Sequence, residues 1–108
     1  MDFEVLLLEN AIKDLEVIYQ SLKQRASKEV ALREIEGLEA ACASLSENPG
    51  RGSVPHELER INTFEYRQII SKPFRIIYQV AGNNVFVFDI LHGKRNIQDL
   101  IRQRISLR

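Results

Sequence analysis

The sequence predicts an α+β fold in two layers, with an N-terminal helical hairpin packed on one face of a small, mostly antiparallel sheet. Three observations carry this. Residues 10–24 and 27–47 repeat apolar side chains at helical spacing. Residues 66–95 are rich in β-branched and aromatic residues and are punctuated by turn residues. A short apolar run, Phe3-Glu4-Val5-Leu6-Leu7-Leu8, precedes both. Strand, helix, helix and then hairpin strands is a layered α+β order, and 108 residues suit one domain spanning 1–108.

Each element has a local reason. The run at 3–8 reads as a mostly buried strand. Asn10 is placed to cap the first helix, with Asp14 in its first turn, where the helix dipole favours negative charge. Ala11, Leu15, Ile18 and Leu22 form its buried stripe. The pattern resets at Arg25–Ser27, and Ser27 is the candidate cap of a second helix. Ala31, Ile35, Leu38, Cys42 and Leu45 then follow alternating steps of four and three, one continuous seam. Cys42 lies inside it and reads as a packed thiol.

Asn48-Pro49-Gly50 ends the second helix. Residues 49–65 are a turn-rich link, with one brief strand expected near Leu58–Ile61. Strands follow at 66–70, 74–80 and 85–91, separated by Ser71-Lys72-Pro73 and by Ala81-Gly82-Asn83-Asn84, whose Gly and Asn tolerate positive φ. The last strand is nearly continuous in apolar residues, so it belongs in the centre of the sheet. A final amphipathic helical segment is expected from Ile97 to Ile105, with Leu100, Ile101 and Ile105 on one side. The sheet face away from the helices is expected to stay open, with cations projecting from it.

Composition narrows the classes. No apolar run approaches the roughly 20 residues that span a bilayer. Asp2 and Glu4 sit where a signal peptide carries positive charge. The lone Cys42 fits a reducing cytoplasm. Net charge is zero, yet residues 1–50 hold five Lys/Arg against ten Asp/Glu, and residues 51–108 hold ten against five. The acidic half reads as the solvated side of two helices. The basic half falls on strands and turns, where exposure is directional.

Several chemistries drop out. Pro49-Gly50-Arg51-Gly52 lacks the spacing and the ending of a phosphate loop. His56 and His92 with one cysteine do not make a metal site, and no serine sits in a nucleophile elbow. No metal or cofactor is expected. What remains is Arg67, Lys72, Arg75, Lys94 and Arg95, with Tyr66 and Tyr78 near them. Such a set can hold phosphates bidentately, stabilise a phosphoryl transition state, or pair with carboxylates of a protein partner. Salt bridges to Glu57, Glu59 or Glu65 can absorb one or two of these charges.

Phe74-Arg75-Ile76-Ile77-Tyr78-Gln79-Val80 and Ile90-Leu91-His92-Gly93-Lys94-Arg95, with Tyr66-Arg67 and the helical hairpin ending at Asn48-Pro49, carry a resemblance. Over nearly its whole length the chain resembles the RelE/ParE superfamily of type II toxin–antitoxin toxins, closer to the ParE-like branch. The resemblance implies a small antiparallel sheet with the first strand beside the last. It also implies a cognate antitoxin that neutralises the toxin in a hetero-oligomer.

RelE-like members cut mRNA on the ribosome without a metal, whereas ParE-like members poison DNA gyrase. By resemblance Arg75 and Arg95 match two arginines of the nuclease site, and Arg67 matches one of its lysines. Ile69 and Ile101 stand where that site has its second lysine and its tyrosine. Losing a proton-transfer group lowers rate by about 100- to 10,000-fold, although Tyr66, Tyr78 or His92 offers a substitute. The reading preferred from sequence is a cytoplasmic gyrase inhibitor of the plasmid-stabilisation type, not an enzyme. Its partner-binding residues are Arg67, Arg75, Lys94, Arg95, Arg102 and Arg104. A ribosome-dependent mRNA endonuclease and a degenerate, non-toxic member are the alternatives.

Overall fold

The computed structural model describes residues 2–95 and Ile97. The chain runs β1 (Glu4–Leu7), α1 (Glu9–Arg25), α2 (Lys28–Ala43), α3 (His56–Glu59), β2 (Arg67–Ser71), β3 (Phe74–Ala81) and β4 (Asn84–His92). Single 3-10 turns lie at Ser44–Ser46 and Pro49–Arg51. The four strands form one sheet in the order β1-β4-β3-β2. Strand β4 is central, as its apolar run requires, and β1 lies beside it in parallel, with Val5 opposite Val85 and Leu7 opposite Val87. The other pairings are antiparallel. Being an edge strand, β1 is only partly buried, less than its run of leucines suggests.

The β3–β4 turn is a two-residue loop, Gly82-Asn83, closed by the pair Ala81 and Asn84, and Gly82 takes the positive φ (60°) that such a loop needs. One register shift falls at Ile77/Tyr78, where Ile77 faces Asp89 and Tyr78 faces Val87, so Phe88 is the extra residue of a bulge.

The helices cover one face. Leu38, Cys42 and Leu45 of the α2 seam are fully buried against Ile76, Tyr78 and Val87. Ser27 caps α2 as expected, its hydroxyl accepting the Val30 N–H at 3.1 Å. Asn10, however, is not a cap. The Leu8 N–H is still donating to the Val87 carbonyl at 3.0 Å, so the helix starts at once at Glu9 behind Leu8, with no side-chain cap. Asp14 does not serve the first turn either. Its carboxylate accepts the Ile90 N–H at 2.9 Å, tying α1 to β4 where β1 has run out.

Two further expectations are corrected. Residues 58–61 do not form a strand. Pro55 leads into a single helical turn, the Leu58 and Glu59 amides donating to its carbonyl at 3.0 Å. One buried apolar residue, Leu58, anchors that turn, which suits one turn of helix and not the alternation of a strand. Ser53 of the link forms an isolated antiparallel β-bridge with Gln68 of β2. Nor is the second face of the sheet wholly open. Leu58 and Ile97 bury Ile77 and Leu91 there, with Val54 and Tyr66 packed beside them. Those apolar side chains on β3 and β4 need a cover, and the link supplies it. Ile70, on the same face, remains exposed. Of the final helical segment expected at 97–105, all but Ile97 lies outside the described residues.

Candidate functional site

Arg75 is the most constrained cation of the set. It leaves β3 toward the second face, beneath α3, and is only 9% exposed. Glu57 of α3 takes it in a bidentate pair, Nη2 to Oε2 at 2.8 Å and Nη1 to Oε1 at 3.2 Å. Nη1 also reaches the Gln68 side-chain oxygen at 3.2 Å, and Nη2 donates to the Arg95 carbonyl at 2.7 Å. The Arg75 hydrogen bond holds the Glu57 carboxyl below its ordinary pKa; partial burial opposes this, and the amides of Glu57 itself and of Ile97 help it.

Arg67 goes elsewhere. In the β2–β3 register it lies opposite Tyr78, whereas Arg75 lies opposite Ile70, so the two arginines point to different faces. Nη1 of Arg67 donates to the Gly52 carbonyl at 2.8 Å. The Gly52 amide in turn donates to the Tyr78 hydroxyl at 3.0 Å, and that hydroxyl donates to the Pro49 carbonyl at 2.6 Å. Tyr78 is fully buried, and burial pushes its phenol up.

The other sequence candidates are dispersed. Tyr66 packs edge-on against Phe88, ring centroids 5.3 Å apart. His92 is exposed at the end of β4, its Nδ1 accepting the Lys94 N–H at 3.3 Å. Lys72, Lys94 and Arg95 are exposed. Arg102 and Arg104 lie outside the described residues. The structure therefore joins Arg75 to the main chain of Arg95 and to Glu57, and separates both from Arg67. Among the described residues no group of three His, Cys, Asp or Glu is placed to hold a metal, and no helix is long and apolar enough to cross a membrane.

Two features were missed in the sequence. Gly52 is needed for close approach, because a Cβ there would strike the Tyr78 hydroxyl and lie 2.6 Å from the Gln68 carbonyl. A Gly in a turn-rich link gives no sign of that. An apolar cavity of about 470 Å³ also opens between the helical hairpin and the ends of β3 and β4, lined by Val17, Ile18, Leu22, Val30 and Phe74. A smaller one, about 260 Å³, lies between β1 and α2, along Val5, Leu7, Cys42 and Ala43.

Comparison with known proteins agrees with this architecture. The family model for the ParE toxin of the type II toxin–antitoxin system parDE matches residues 5–97. A chain of the chromosomal ParDE system from P. aeruginosa superposes with a TM-score of 0.72 at 19% identity, covering 83% of this chain and 95% of that one. A chain of the RelBE2 toxin–antitoxin complex from Mycobacterium tuberculosis gives 0.54 at 20%, covering 85% and 99%. The YoeB/ParE toxin from Agrobacterium tumefaciens gives 0.55 at 15%, covering 82% and 96%. No curated protein sequence matches. At these identities the structures speak for the fold, and the family model speaks for kinship. The chain belongs to the ParE toxin family of type II toxin–antitoxin systems.

Proposed function

We propose that this toxin arrests growth in the cytoplasm by binding DNA gyrase, without cutting message, and that a cognate antitoxin neutralises it. The observation that carries the reading is the state of Arg75. A nuclease of the RelE type, as the resemblance describes it, needs its cations free to meet phosphate. Here the guanidinium lies buried against Glu57, and Arg67 faces the other side of the sheet. Two of the three substitutes for the missing proton donor are poorly placed as well. Tyr78 is buried with its hydroxyl committed to Pro49, and Tyr66 lies against Phe88. Lys94 and Arg95 are exposed at the end of β4 and form, with the basic positions Arg102 and Arg104 that follow in sequence, the expected contact with gyrase.

For the antitoxin, the apolar cavity beside Val17 fits one face of an amphipathic helix, and the outer edge of β1 offers an extended segment a strand to pair with. The decisive experiment compares supercoiling by purified gyrase, with and without the toxin, against primer-extension mapping of mRNA on programmed ribosomes. Inhibited supercoiling with intact message is expected. Cleavage at the A-site codon with gyrase unaffected overturns the reading in favour of the nuclease, and silence in both assays favours a non-toxic member.

A further inference from the structure

The surroundings of Glu57 form an anion cradle that the chain fills for itself. Two guanidinium nitrogens of Arg75 hold that carboxylate at 2.8 and 3.2 Å, and the amides of Glu57 itself and of Ile97 favour its charged form. Behind them, Nε of Arg75 is buried and has no hydrogen-bond partner among the described residues. The guanidinium therefore holds one N–H more than its present partners use. Its floor is the sheet, with Gln68 on β2, and its wall is the main chain at Arg95. The side chain that occupies it arrives on a single turn of helix whose own cap is only a proline backbone.

We propose that this cradle is an oxyanion site, for phosphate or carboxylate, and that Glu57 is its built-in occupant, closing it to external anions in the native chain. The chemistry favours this over a plain structural ion pair. Planar carboxylate and tetrahedral phosphate both match the arginine fork, which already holds the Glu57 carboxylate at two nitrogens. A guanidinium that is nine-tenths buried cannot stay unpaired without a large penalty, so once Glu57 is removed a small oxyanion from solution becomes the cheapest partner. The proposal rests on the packing about Arg75 and not on the target assigned above. Its readout involves neither gyrase nor antitoxin, so the two readings fail separately.

The test is thermal unfolding of the full chain as native protein, Glu57→Ala and the double variant Glu57→Ala/Arg75→Met. Sodium phosphate and sodium acetate are titrated separately against sodium chloride at constant ionic strength. Phosphate stabilises many proteins by exclusion from their surface, so the signal is the excess of Glu57→Ala over the native chain and the double variant. With phosphate or acetate at tenfold its dissociation constant, Glu57→Ala should gain about 5 °C more than either control, and the gain should saturate. A response to phosphate alone assigns the cradle to phosphate, and a response to acetate alone assigns it to carboxylate. If Glu57→Ala does not fold in chloride, the same series is read as recovery of folded protein by circular dichroism. Equal shifts in all three proteins, or no recovery of an unfolded variant in either anion, overturn the proposal.

Discussion

Arg67 and Arg75 stand on adjacent strands and face opposite sides of the sheet, one bound to the Gly52 carbonyl and the other to the Glu57 carboxylate. Side chains alternate along a strand, and facing partners across the β2–β3 turn are an odd number of residues apart, as Arg67 and Tyr78 or Ile70 and Arg75 are. The even separation of Arg67 and Arg75 therefore puts them on opposite faces. Arg67 shares its face with Tyr78, on the side of the helices, and Arg75 shares its face with Ile70 and Gln68. One phosphate cannot be held by both guanidinium groups in this arrangement. What the two arginines do share is the link between α2 and β2. Arg67 pins it at Gly52 and Arg75 pins it at Glu57, and both contacts press it onto the sheet.

Tyr78→Phe should destabilise the protein by roughly 1–3 kcal/mol, because the Pro49 carbonyl loses its donor and the Gly52 amide its acceptor. Gly52→Ala should cost a similar amount for a different reason, overlap of the new methyl with the Tyr78 hydroxyl and the Gln68 carbonyl. In the double variant the overlap with the hydroxyl is relieved, so the costs should be less than additive. Urea unfolding midpoints at unchanged m-value measure all three. Strict additivity would show that Gly52 and Tyr78 do not act on each other.

Stability should fall in acid through Glu57. Its folded pKa lies below the ordinary 4.5, chiefly because of Arg75. A depressed carboxylate adds stability that is present above the unfolded value and is lost as pH falls through the folded one. The unfolding midpoint should therefore begin to drop below about pH 4.5 and keep dropping to a lower pH than a free glutamate would require. Glu57→Gln should be less stable than the native chain at pH 7 and should lack this part of the slope. Parallel pH profiles for the two proteins would remove the pair from the account.

Cys42 should be inert while the chain is folded. It is 1% exposed, and burial, with Glu39 nearby, pushes its thiol up to about 11. At pH 8 only about one thiol in a thousand is ionised at that value, and the thiolate is the reactive form. Labelling by a disulfide reagent should proceed no faster than the protein opens, and should complete at once in denaturant. Immediate stoichiometric labelling of native protein would contradict the burial.

The elements that could be read from sequence are those whose pattern is periodic and whose partner is any apolar surface. The α2 seam from Ala31 to Leu45, the Ser27 cap and the central β4 run are of this kind. Asn10 misled because a cap residue is chosen by where the strand lets go of the chain, and the Leu8 amide was still bound to Val87. The link at 56–59 misled because one buried leucine in four residues has no period to read. For the site, charge count was legible and partnership was not. Glu57 stood among three acids able to absorb a cation, but only the fold brings it over Arg75, 18 residues away in sequence. The alternation that splits Arg67 from Arg75 depends on where the β2–β3 turn places its register, and a Ser-Lys-Pro turn leaves that open.

Antitoxin binding should be sensitive to Val17 and indifferent to it in folding. Val17 lies on α1 at the mouth of the apolar cavity and is 68% exposed, far more than a side chain that serves only the core. Val17→Asp puts a charge where the proposed helix lays its apolar face. Such a charge is desolvated only in the complex, so the cost falls on binding and not on the free toxin. A surface change of this kind should move stability by no more than about 0.5 kcal/mol. Affinity for the antitoxin should fall at least tenfold, about 1.4 kcal/mol. Raised salt should leave the Val17 effect in place, since apolar burial is not screened. Calorimetric titration of the two toxins with the purified antitoxin at low and high salt reads each of these. Equal affinities would move the antitoxin helix away from this cavity, and a loss of affinity matched by a loss of stability would make Val17 a folding residue.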